Sequence, residues 1–278
     1  MNHSCNPNAV VSFDRNTLNI FSLRKISRDE EIFISYVDIT DNPWQRQEEL
    51  QERYFFTCDC VECSAWTILQ STVVPPNNEQ FRSIESQAKA LLKTAKASPD
   101  SNSSIAALEH GMKLMRCVKV CAVFRQPYAS LRQQLAVNLI AAQRWVSAFA
   151  EMLKIYFEID PVLFPQPFHP VRVVHKWTLA MLVIHISTLS GSGAGSVGRL
   201  EVYHLDYGTV VWGLLVEVEG NLDKSHGRGT RFAKMARRKV DQVKVDMTRG
   251  DAGIPKRGKQ DVELHWSKMR NIADGLAF

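Results

Sequence analysis

Three cysteines within six residues, Cys58-x-Cys60-x-x-Cys63, constrain this chain more than any other feature. Neighbours as close as Cys58 and Cys60 oxidise to each other only under strain, so a disulfide inside the cluster is disfavoured. The opening residues MNHSCNPN show neither the basic nor the apolar segment of a secretory signal, which also speaks against a disulfide framework. Tetrahedral zinc would accept the three thiolates and requires a fourth donor. Three cysteines remain to supply it. Cys117 and Cys121 stand four apart in a helical-looking stretch, and Cys5 sits in a loop beside a strand of the cluster's own region. The bland alternative is three buried thiols.

Around this cluster the first 66 residues read as strands and one helix. Ala9–Phe13 is a short apolar run, Asp14-Arg15-Asn16 a turn, and Thr17–Leu23 alternates through Leu18 and Ile20. Ile32, Ile34 and Tyr36 share one face of a further strand. Asn42-Pro43-Trp44-Gln45 has the pattern of a helix start, with Asn as the N-cap, Pro first and Gln completing a capping box. That helix should run to about Phe55 and lead into the cysteines. Residues 67–78, which include Thr72-Val-Val-Pro-Pro-Asn-Asn78, read as a linker. From 79 to 278 apolar residues recur at helical spacing, with helices expected over Tyr128–Ile159, Val171–Leu189, Leu200–Val218 and Arg231–Met247. The fold class is therefore α+β: a small β-rich segment and a larger helical domain, with no clean 34-residue repeat. The strongly apolar run Leu179–Leu189, 11 residues containing His185, is too short to cross a bilayer, so no membrane partner is expected.

Asn2-His3-Ser4-Cys5-Asn6-Pro7-Asn8, then Asp29-Glu30-Glu31-Ile32 leading to Ile34-Ser35-Tyr36, then Tyr54-Phe55-Phe56 before Cys58-Asp59-Cys60, resemble the C-terminal half of a SET domain with its post-SET zinc motif. SET domains are the fold of most protein lysine methyltransferases. The variant most similar is the SET-and-MYND subfamily, in which a helical, tetratricopeptide-like domain follows the post-SET cysteines. The resemblance implies zinc held by Cys5, Cys58, Cys60 and Cys63, and S-adenosylmethionine held through Asn2 and His3. It makes Tyr36 the catalytic tyrosine beside the cofactor, Tyr54 a wall of the lysine channel, and Phe56 a residue packed on the adenine. It also implies a lysine-bearing protein or peptide substrate, histone or non-histone, a possible protein partner on the helical domain, and an intracellular location in nucleus or cytoplasm. The Gly-x-Gly cofactor loop, further strands and the MYND module that precede the Asn-His motif in the family are expected to be missing, as in an N-terminally truncated fragment. The alternative is a zinc-stapled, non-catalytic interaction module that uses its helical domain.

These residue types suit that chemistry. Methyl transfer from a sulfonium to an amine asks mainly for alignment of two reactants and exclusion of water. A free lysine must first lose its proton, at a cost of about 4–5 kcal/mol at neutral pH. A narrow desolvated channel and a neighbouring positive charge lower that cost, and aromatic walls hold the resulting ammonium by their π faces. A thiol-protease pairing of His3 with Cys5 is disfavoured because residues two apart do not readily hydrogen bond through their side chains.

Three other features read as structural. Gly193-x-Gly195-x-x-Gly198 matches a dinucleotide fingerprint in letters, but its Ser/Gly composition reads as a flexible loop. His169, His175 and His185 lie on apolar segments with no partner at ligand spacing. Charge is uneven: −5 over residues 1–66, +3 over 67–219 and +7 over 220–278. The basic run Lys224–Lys259 carries interspersed acids and Phe232 alone among Phe, Tyr and Trp, too little for interleaved stacking, so it reads as a solvated helix face and nucleic acid is not expected as a partner.

Overall fold

The computed structural model describes residues 1–70, 79–116, 126–191, 195–249 and 259–275. The expected ligand candidates Cys117 and Cys121, residues 71–78 of the expected linker, and Gly193 lie outside them. Two small two-stranded sheets open the chain. In the first, β1 (Asn2–His3) runs parallel to β4 (Phe33–Ile34), with Asn2 opposite Phe33 and His3 opposite Ile34. In the second, β2 (Ala9–Asp14) and β3 (Thr17–Ser22) form an antiparallel hairpin with Asp14 opposite Thr17. The strand expected through Ile32, Ile34 and Tyr36 is shorter than its pattern, because only Phe33 and Ile34 find a ladder partner.

Asn8 joins the two sheets and is fully buried. Its side chain imitates a strand: Oδ1 accepts the Phe33 N–H at 2.8 Å, and Nδ2 donates to the Glu31 carbonyl at 2.8 Å and to Glu30 Oε1 at 3.2 Å. Its backbone carbonyl takes the Leu23 N–H at 2.8 Å.

Helix α1 (Pro43–Tyr54) begins where the sequence places it, but Asn42 makes no side-chain cap. Asn42 Nδ2 and Gln45 Nε2 instead both donate to Glu85 Oε1, a buried carboxylate of the helical domain. Two residues that look like a local capping box thus tie α1 to another part of the fold. The helix ends at Phe55, whose φ of 60° turns the chain back toward the cysteines. Helix α2 (Val61–Gln70) carries Cys63 in its first turn and takes up residues 67–70 of the expected linker.

The helical domain starts with α3 (Glu79–Ala97), α4 (Ser101–Arg116), α5 (Tyr128–Ala141) and α6 (Trp145–Lys154), each packed on the next. The stretch from Tyr128, whose spacing allows one long helix or a helical pair, is a pair: it breaks at 142–144, where Gln143 takes a φ of 58°. Helix α6 continues through a π turn (Ile155–Ile159) into the short α7 (Asp160–Leu163). Helix α8 (Pro170–Gly191) follows, then a 3₁₀ helix (Gly195–Tyr203), α9 (Tyr207–Ser225), α10 (Arg231–Arg249) and α11 (Lys259–Gly275). The glycine-rich stretch expected to be a loop is therefore 3₁₀ from Gly195 onward, and the helix expected from Leu200 starts only at Tyr207.

Leu108, Met115, Leu131, Leu139, Phe149, Leu153, Ile155, Leu179, Ile186 and Leu214 build one continuous core in this domain. Helix α8 is longer than its 11-residue apolar run, and by length and composition it would suffice to cross a membrane. It packs on α6 and α9, burying Val173, Leu179, Ala180, Val183 and Ile186, and it carries Arg172, His175, Lys176 and His185.

The N-terminal segment docks on the helical domain at further points. Gln126 Nε2 donates to Thr40 Oγ1 at 2.8 Å, and the Arg231 N–H donates to Asp14 Oδ2 at 3.0 Å. A cleft of about 340 Å³ remains between the two parts, walled by Val10, Ile34 and Val37 on one side and by Gln133, Phe164 and His169 on the other.

Candidate metal centre and aromatic site

Three chain segments bring the four cysteines together. Cys5 comes from the turn after β1, Cys58 and Cys60 from the extended stretch after α1, and Cys63 from the start of α2. All four sulfurs lie within 4.8 Å of one another, with Cys5 and Cys63 Sγ 3.5 Å apart. A tetrahedral site with Zn–S bonds of about 2.3 Å needs sulfurs about 3.8 Å apart. Four free thiols at such spacing, three of them buried, are the donor set that zinc takes, and the geometry fits that ion. Without a cation, burial pushes the Cys5 thiol up and the Cys63 thiol to about 11. At Cys60 burial acts the same way but is outweighed by the backbone N–H groups of Cys63 and Cys5, which bring it to about 7.

The loop that presents Cys58 is held by a residue the sequence reading did not single out. Gln47 Nε2 donates to the Cys58 carbonyl at 2.7 Å, and Gln47 Oε1 accepts the Cys58 N–H at 2.9 Å. One amide of α1 thus pairs both backbone groups of a candidate metal ligand, as a neighbouring strand would. Arg46, also buried, donates to the carbonyls of Ile39 and Asp41 and closes the connection that leads from β4 to α1.

Beside the sulfurs stands a row of rings. Tyr54 and Tyr36 have centroids 5.0 Å apart, Tyr36 and His3 5.3 Å, and His3 and Phe56 5.7 Å. Tyr36 donates its hydroxyl to the Met1 carbonyl at 2.8 Å, and Tyr54 reaches the Tyr36 carbonyl at 3.4 Å. Asn2, at the end of the row, donates from Nδ2 to Glu31 Oε1 at 2.5 Å. The expected site residues Asn2, His3, Tyr36, Tyr54 and Phe56 are therefore neighbours, although 52 positions separate Asn2 from Tyr54.

His3 links the rings to the sulfurs. Its Nδ1 accepts the Tyr36 N–H at 3.1 Å, so in the neutral ring the proton sits on Nε2, which lies 3.3 Å from Cys5 Sγ. Burial, and then the Arg46 guanidinium, hold His3 below the ordinary imidazole value, which keeps that tautomer neutral. The contact between His3 and Cys5 corrects the expectation that residues two apart would not meet. The turn at Ser4 folds the sulfur back under the ring. The contact suits a metal site, where an N–H donated to a ligating thiolate would orient it and spread its charge.

Of the three histidines read as structural, His169 stacks on Phe164 at 4.5 Å and His185 meets Trp145 edge-on at 4.2 Å. His175 does have a carboxylate partner, Asp160 Oδ1 at 2.9 Å, supplied by α7 fifteen residues earlier.

Residues 1–37 match the family model of the SET domain. The N-terminal segment belongs to the SET-domain family, in its SET-and-MYND-like branch. Among curated relatives of the SET segment are N-lysine methyltransferase SMYD2-A of Danio rerio, 33% identical over 33% of this chain and 23% of that protein, and SET domain and MYND-type zinc finger protein 6 of Schizosaccharomyces pombe, 44% identical over 23% of this chain and 13% of that protein. Histone-lysine N-methyltransferase ASHR1 of Arabidopsis thaliana is 24% identical over 59% of this chain and 42% of its own length. The chain thus spans less than half of these relatives.

Proposed function

We propose that this chain is the C-terminal part of an S-adenosylmethionine-dependent protein-lysine N-methyltransferase. The observation that carries the reading is the row Tyr54–Tyr36–His3–Phe56 standing on a four-cysteine cluster, with His3, Cys5 and Tyr36 inside the stretch that matches the SET domain. The relatives, named as lysine methyltransferases of a fish and of a plant, support it. S-adenosylmethionine would supply the electrophilic methyl group, and Asn2, His3 and Phe56 are the residues here that would hold it. Tyr36 and Tyr54 would flank the lysine side chain with their rings, exclude water and steady the ammonium by cation–π attraction. The Tyr36 hydroxyl would orient the amine through a hydrogen bond rather than act as a strong base. Zinc would have no part in the chemistry and would fix Cys5 beneath His3 and Cys58 next to Phe56.

The helical domain is read as tetratricopeptide-like, on the support of α3 to α6 packing each on the next with short turns at 98–100 and 142–144. Reduced thiolates suit an intracellular setting, nucleus or cytoplasm.

Methyl transfer tests the reading. The endogenous polypeptide, its intact mass and N-terminal peptide determined, is assayed with radiolabelled S-adenosylmethionine and lysine-bearing peptides. Expected are transfer to lysine, a large loss of turnover in Tyr36→Phe at little change in cofactor affinity, and loss of zinc in Cys60→Ser. Unchanged turnover in Tyr36→Phe removes Tyr36 from the mechanism, and full zinc occupancy in Cys60→Ser sinks the ligand assignment. Zinc retained with neither cofactor binding nor transfer would leave the zinc-stapled interaction module as the function.

A further inference from the structure

We propose that the outward face of α10 is a docking surface for an acidic peptide segment of another protein that carries an apolar side chain. The proposal is independent of the methyl-transfer reading and rests on how this helix distributes its charges.

Helix α10 buries Ala233 and Ala236 in a small cluster with Val173, Val218 and Leu222. Its cations beside α9 are neutralised: Arg237 pairs with Asp223, and Lys244 with Glu219 at 3.3 Å. Those on the outward side are not. Among the described residues, no carboxylate forms an ion pair with the side chain of Arg231, Lys234, Arg238 or Lys239; Asp14 takes only the backbone N–H of Arg231, and Lys239 reaches the amide of Gln242 at 3.2 Å. Arg231, Lys234 and Arg238 are exposed and stand three and four positions apart, a like-charge spacing that destabilises a helix.

Met235 lies in the middle of this array and is 48% exposed. Arg231 is one turn before it, Arg238 and Lys239 one turn after, so an unbranched, polarisable apolar side chain is ringed by cations. The same residues line a groove of about 630 Å³ with Phe232 at its edge.

This chemistry selects the occupant. Carboxylates would offset the outward cations, and an aliphatic side chain would cover Met235. A phosphodiester backbone matches the charge but leaves Met235 without a counterpart. The face also lacks a free aromatic ring for a base to stack on, because Phe232 is half-buried and packed on His226 at 4.5 Å and Trp177 at 6.0 Å. Extended acidic segments with spaced leucines carry both required groups.

Fluorescence anisotropy on the full chain tests this with three labelled probes: a twelve-residue Glu/Asp peptide with two leucines four apart, the same peptide with serine at those positions, and a 20-base-pair DNA duplex. Expected is that the leucine peptide binds most tightly and weakens as salt rises, as an ion-paired surface contact must. In Lys234→Glu/Arg238→Glu the affinity should fall by about ten-fold or more, and in Met235→Ser by about three-fold, with unchanged thermal melting. The milder Lys234→Gln/Arg238→Gln should show the same trend and guards against a folding defect. Unchanged affinity in both double variants overturns the proposal. So does equal binding of the serine peptide, absence of peptide binding, or tighter binding of the duplex, which would make nucleic acid the occupant.

Discussion

Gln47 shows what a single side chain does for this metal centre. Its amide is the only group, among the described residues, that pairs both backbone atoms of Cys58. Replacing it with alanine leaves that N–H and carbonyl unpartnered in a part-buried loop, at a cost of about 1–3 kcal/mol. Gln47→Ala should therefore lower thermal stability and release zinc faster to a colorimetric chelator, while stoichiometry at saturating zinc stays at one per chain. Unaltered release kinetics would mean the sulfurs hold the loop by themselves. The cysteines were legible in the sequence because metal-ligand spacing is a local property, and Cys5 followed once the motif around it was matched. Gln47 and Asn8 were not legible as anchors. Their partners lie 11 to 25 residues away, and only the folded path shows that an amide stands in for a missing strand. Nor was the His3–Cys5 contact, which depends on a turn at Ser4 that no periodicity reports.

Elements were readable to the extent that their signals are local. Helix α1 starts and ends within a residue of its expected bounds, since Pro43 and the aromatic exit are written in the chain. Its supposed capping pair, in contrast, serves Glu85, a buried carboxylate that takes both amide donors. Helix α11 was not among the helices named from the sequence, yet it packs Trp266 against α9 and donates the indole N–H to Tyr156 at 3.0 Å. The two helices meet at Gly213, where an added Cβ would stand 2.7 Å from the Trp266 ring and 3.0 Å from Val262. Alanine normally improves a helix by about 1 kcal/mol over glycine. Gly213→Ala should instead destabilise by about 1–3 kcal/mol, because the indole must leave its place. Denaturant unfolding checks this, and a stabilised variant would show that α11 moves aside freely.

At the scale of the molecule, among the described residues, hydrogen bonds tie the N-terminal segment to the helical domain at three places: Glu85 with Asn42 and Gln45, Thr40 with Gln126, Asp14 with the start of α10. His169 borders the cleft between the two parts. Burial first, and then the nearby His175, lower its pKa to about 4. The folded state therefore resists a proton that the unfolded chain accepts near pH 6.5. Stability from this group is complete above about pH 6.5 and is lost as pH falls toward 4, by an amount on the order of 3 kcal/mol. Urea midpoints measured across that range should drop with acid, and His169→Gln should flatten the slope. An equally steep slope in the variant would assign it to other groups, such as His226, which burial also holds low.

His3 accepts from Tyr36 with one nitrogen and meets Cys5 with the other, so the state of the cluster and the pose of the rings are one variable. An agent that strips the metal or oxidises a sulfur would free the imidazole against which Tyr36 and Phe56 lean. Its inhibition would be noncompetitive toward anything seated on the rings, and neither a saturating cofactor nor excess substrate would rescue it. Only restoring the reduced, metal-loaded cluster would.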